Sequence, residues 1–100
     1  MENKENGQLQ IELKEEVAQG IYANLAIITH SSSEFILDFV RVLPGMPKAG
    51  VQSRLILAPE HAKRLLRALE DNIGKYERTF GSIDTPERTL APLGGIKGEA

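Results

Sequence analysis

The sequence predicts an α+β domain: a four-stranded antiparallel sheet in meander order, backed by one long C-terminal helix and followed by a flexible C-terminal tail. Three observations predict it. Apolar and β-branched segments separated by short polar or Gly/Pro links run from residue 9 to residue 58, the period turns helical after Pro59, and the last twenty residues are rich in Gly and Pro.

Residues 9–13 (LQIEL) alternate apolar and polar, the pattern of a half-buried strand, and are the first of the four. A break near Gly20 precedes residues 21–30 (IYANLAIITH), rich in Ile, Ala and Thr, as the second. Ser31-Ser32-Ser33 is the turn to the third, residues 35–43 (FILDFVRVL), which Pro44-Gly45 ends. The segment PGMPKAG leads to the fourth, residues 51–58 (VQSRLILA). Short links between consecutive strands imply antiparallel neighbours. In the helix, Pro59 suits the first position, Glu60 brings negative charge to the first turn, and Gly81 marks the stop. Its apolar residues Ala62, Leu65, Leu66, Leu69, Ile73, Tyr76 and Phe80 form one stripe, read as core packing against the sheet in preference to a coiled-coil seam of about two heptads. The opposite face is charged, with Arg64/Glu60 and Arg67/Asp71 spaced for exposed pairs.

The chain has 100 residues, 41% apolar and 26% charged, so one domain is expected: residues 1–7 as a disordered N-terminus, 8–80 as the folded unit and 81–100 as the tail. With no Cys there is no disulfide scaffold and no thiolate chemistry, in keeping with the cytoplasm. Twelve Lys and Arg against fourteen Asp and Glu give a net charge of −2, which supplies no basic field for general nucleic-acid binding. The polar start, MENKENGQ, has no secretory signal pattern, and the apolar run 21–29 is too short for a membrane helix of roughly 20 residues, so no membrane role is expected.

With Ser32 as turn centre, His30 pairs with Glu34, Ile28 with Ile36, Ala26 with Asp38, Asn24 with Val40 and Tyr22 with Val42. One face then collects Ile21, Ala23, Leu25, Ile27, Phe35, Leu37, Phe39 and Leu43, joined by Leu55, Leu57 and Val51 or by Ile56, as the core under the helix. The other face, with Tyr22, Asn24, Ala26, Ile28, Ile36, Asp38, Val40 and Val42, is too apolar to stand open to water and is the expected oligomer or partner face. The simplest cover is a second copy in a homodimer, with a different protein as the competing occupant.

Residues with chemical potential read as structural. His30 and His61 lack a second ligand at metal spacing, and Ser31–Ser33 with His30 and Asp38 supply triad residue types without an oxyanion hole. Gly94-Gly95-Ile96-Lys97-Gly98 lacks phosphate-loop spacing. No catalytic, cofactor or metal site is expected. Lys63, Arg64 and Arg67 form a small basic patch, interleaved with Glu60, Glu70 and Asp71. Arg41 and Arg54 lie inside strands and call for interface or edge ion pairs, with Asp38 within reach of Arg54.

Tyr22-Ala23-Asn24, Glu34-Phe35 with Asp38-Phe39, and Pro59-Glu60-His61-Ala62-Lys63 followed by Leu66, Leu69, Asn72 and Tyr76-Glu77 together resemble a small prokaryotic family, domain of unknown function 3467, over residues 8–82. The resemblance implies a compact strand-rich domain with one long helix and brings no activity. The element order is also similar in outline to SecB-type export chaperones, which tetramerise and bind unfolded clients, although a second long helix is lacking. The reading that follows is a non-enzymatic, self-associating interaction module. The alternatives are a chaperone-like binder of apolar segments and a nucleic-acid accessory protein.

Overall fold

The computed structural model describes residues 9–86. Its elements are α1 (Glu15–Ala18), β1 (Leu25–His30), β2 (Phe35–Arg41), β3 (Gly50–Leu57) and α2 (Pro59–Phe80). The strands form one sheet in the order β1-β2-β3, antiparallel throughout, so the meander and the long helix are as expected.

The sheet has three strands, because residues 9–13 form no strand. Leu9, Ile11 and Leu13 keep their alternation yet lie exposed, Ile11 at 88%. A strand exists only by pairing, and among the described residues this segment has no ladder partner; four residues of α1 and the turn at Gly20, with φ of 76°, separate it from β1. The second predicted strand also begins later than expected, at Leu25.

The hairpin register differs by one residue from the sequence expectation. Leu25 lies opposite Val40, Ile27 opposite Asp38, Ile28 opposite Leu37 and His30 opposite Phe35, leaving the four-residue loop Ser31–Glu34. A three-residue loop needs a left-handed residue that three serines supply poorly, whereas a four-residue loop forms around an ordinary turn. The Ser31 amide donates to Glu34 O at 3.0 Å and the Ser33 amide to Ser31 Oγ at 3.2 Å, while the His30 ring stacks on Phe35 with centroids 5.3 Å apart.

Asn24 fixes this register from the other end. Its amide donates to Val40 O at 3.0 Å, its Nδ2 donates to Val42 O at 3.0 Å, and its Oδ1 accepts from the Val42 amide at 2.8 Å. The side chain imitates a peptide group and extends the β1–β2 ladder by one pair. At the far end of β2, Pro44 and Gly45, the latter with φ of 79°, make the turn that closes with Met46 N donating to Leu43 O at 3.3 Å. A register irregularity at Phe39/Val40 shifts the β2–β3 pairing there.

Parity then sorts the strands into two faces. Ala26, Ile28 and His30 share one with Phe35, Leu37, Phe39, Leu55 and Leu57, and Leu25, Ile27 and Thr29 share the other with Ile36, Asp38, Val40, Arg54 and Ile56. The expected core set is therefore divided, since Leu25 and Ile27 lie on the side opposite to Leu37 and Phe39.

The helix starts at Pro59 as predicted, without a side-chain cap from Ala58, and ends at Gly81, whose φ of 97° and ψ of 167° belong to a region essentially reserved for glycine. The Gly81 amide donates to Glu77 O at 2.9 Å, and Glu77 Oε2 accepts from the Ile83 amide at 2.9 Å, tying the chain back past the helix end. The expected tail falls largely on residues 87–100 and the disordered N-terminus on residues 1–7, outside the described residues. The expectation that α2 packs its stripe on the sheet is not met. No residue of α2 is buried, and the element it chiefly contacts is β3. The apolar stripe of α2 is left largely exposed.

Candidate interaction surface

Among the described residues only Leu37 and Val40 are buried, one on each face of the sheet, while 19 large apolar side chains are exposed. A globular domain hides most of its large apolar residues, and monomers seldom leave contiguous patches uncovered.

The exposed surface has three parts. The first is the α2 stripe, where Leu66 and Leu69 are each 54% exposed, and Tyr76 and Phe80 form a tilted aromatic pair with centroids 4.9 Å apart. The second is the sheet, with Ile28 and Leu55 exposed on one face and Val51 and Ile56 also exposed. The third is the N-terminal arm, whose Val17, Gly20, Ile21 and Ala23 line a shallow hollow of about 300 Å³ with Phe39 and Ser53.

The eight residues expected on one partner face do not share it. Ala26 and Ile28 lie on the Leu37 side, whereas Ile36, Asp38 and Val40 lie on the other. Tyr22 is exposed ahead of β1, and Asn24 and Val42 are joined through the hydrogen bonds described above. Asp38 receives two hydrogen bonds from the directly opposite Arg54, Nε to Oδ1 at 2.7 Å and Nη2 to Oδ2 at 2.8 Å. This is the ion pair the two strand-embedded charges called for. Hydrogen bonding to Arg54 holds the Asp38 carboxyl below its usual value, and the carboxylate holds Arg54 above its own. Arg41 is exposed at the end of β2.

On α2, Arg64 reaches Glu60 Oε2 at 3.1 Å as its spacing predicts, and also His61 Nδ1 at 3.0 Å. Asp71 pairs with Lys75 at 3.2 Å, not with Arg67. The chemistry-bearing residues are not brought together: His30 stacks on Phe35 on one face while Asp38 is engaged by Arg54 on the other. Asn24 is the residue whose role the sequence reading missed. Its signal was available, since asparagine is depleted in strands and stands here at the head of an apolar run.

No helix among the described residues is long and apolar enough to cross a membrane. Residues 1–85 match the profile of the family described as Protein of unknown function (DUF3467). Searches of curated proteins and of solved structures give no significant match.

Proposed function

Because the chain belongs to the family described as Protein of unknown function (DUF3467), which brings no assigned activity, we propose its role from its own surface: a non-enzymatic, self-associating interaction module that works as a homodimer. One observation carries the reading. Among the described residues, two buried apolar side chains against 19 exposed ones make too small a core for a lone chain, with no disulfide to compensate. Burying apolar surface contributes about 25 cal/mol per Å², so association is the largest stabilising term still open to this fold.

The same reading accommodates the fourth strand. Leu9, Ile11 and Leu13 keep the alternation of a strand, and among the described residues β1 and β3 each have a neighbour on one side only. In the assembly, residues 9–13 add to a free edge and complete a four-stranded sheet. Apolar side chains on both faces, Ile28 and Ile36 among them, supply further contact surface, and a sequence without Cys suits the reducing cytoplasm.

Folding that is completed by association depends on protein concentration. Thermal unfolding followed by circular dichroism is expected to show Tm rising as the protein goes from about 1 to about 100 µM. A Tm independent of concentration, with a sharp cooperative transition, would refute the proposal. Suppression of a model client's aggregation by a chain that stays monomeric would transfer the surface to the chaperone-like role.

A further inference from the structure

We infer that α2 is the self-association seam, two copies packing antiparallel through Ala62, Leu66, Leu69, Ile73, Tyr76 and Phe80; this rests on the self-association proposed above. These residues follow one another at steps of four and three, the spacing that keeps a seam facing a partner helix. None is buried by the chain's own sheet.

Side-chain size selects the orientation. An antiparallel pairing centred on Asp71 opposes Leu69 to Ile73, Leu66 to Tyr76 and Ala62 to Phe80 of the second copy, so the smallest residue meets the largest aromatic. A parallel, in-register pairing would set alanine against alanine at one end and phenylalanine against phenylalanine at the other, leaving a void and a crowded layer.

Charge points the same way. Lys63 and Glu77 stand one residue beyond Ala62 and Tyr76, on one flank of the seam. In the antiparallel pair that flank meets its own equivalent, placing Lys63 against Glu77 of the second copy twice, with a single like-charge approach of Glu70 to Glu70 at the centre. The parallel pair gains no such contact, because the other flank holds Leu65, Asn72 and Thr79. It also sets the basic segments around Lys63, Arg64 and Arg67 side by side. The two helix dipoles favour the antiparallel arrangement as well.

Sedimentation equilibrium of the full chain tests the seam with Lys63→Glu, Glu77→Lys and their equimolar mixture. Each variant alone places like charges at both flanking contacts and is expected to dimerise roughly tenfold more weakly than wild type. In the mixture, each Lys63→Glu chain pairs with a Glu77→Lys chain, both contacts become attractive, and the affinity returns to within about threefold of wild type. That recovery cannot come from refolding of either variant, and it also discounts the hydrogen bond from the Ile83 amide that Glu77→Lys removes. If wild type dimerises while the single variants match it, or while the mixture stays weak, the seam is overturned and self-association stands. A monomeric wild type would instead overturn the underlying reading.

Discussion

Asn24→Ala tests the register on which both sheet faces depend. The substitution removes two half-buried hydrogen bonds, Nδ2 to Val42 O and the Val42 amide to Oδ1, and leaves the backbone bond to Val40 O in place. A net contribution of about 1 kcal/mol for each bond gives a loss of about 2 kcal/mol. With a slope of roughly 1–2 kcal/mol per molar urea for a domain of this size, the midpoint falls by about 1–2 M. The assay is urea unfolding by far-ultraviolet circular dichroism at fixed protein concentration, with hydrogen exchange of the Val42 amide as the local readout. That amide should lose protection while those in the middle of β2 keep theirs. A midpoint within about 0.3 M of wild type, or Val42 protection unchanged, would show that Asn24 does not hold the hairpin.

Two further expectations follow from single residues. Because Asp38 is held below its usual value of 3.8 by Arg54, its contribution to stability is fully present above that value and is lost as pH falls through the lower folded value; Asp38→Asn should flatten the pH dependence of the urea midpoint below about pH 4, and identical slopes would contradict the pairing. Gly81→Ala places a side chain at φ of 97° and ψ of 167° with no neighbour within 4 Å of the new Cβ, so the cost of about 1–3 kcal/mol is purely backbone strain and should appear as fraying of the last turn of α2; an unchanged Tm and helicity would contradict it.

How legible the molecule was in its sequence differs by the range of the interaction involved. The β2 and β3 segments, the stop at Pro44-Gly45, the start of α2 at Pro59 and its end at Gly81 follow from local rules, and the structure keeps them. The Asp38–Arg54 pair was also within reach, since two charges inside adjacent apolar strands have few other partners. The register was not. It turns on whether the serine loop holds three residues or four, and that in turn on the Asn24 side chain acting as a peptide group 18 residues from its partner. A shift of one residue then moved every β1 residue to the opposite face relative to β2.

The segment 9–13 and the α2 stripe differ from expectation for a shared reason. Periodicity reports that a surface is built to be covered, without naming the cover. Leu9, Ile11 and Leu13 carry a strand's alternation without a ladder partner among the described residues, and Leu66, Leu69 and Ile73 carry a core stripe that the sheet does not bury. In the self-association proposed above, a second copy of the chain supplies the complement of both.

The most direct measurement of that claim is the solution mass of the full-length protein across about 1–100 µM. Sedimentation equilibrium is expected to give twice the mass of the chain at the upper end, with dissociation on dilution. The mass of a single, cooperatively folded chain at every concentration would contradict the account.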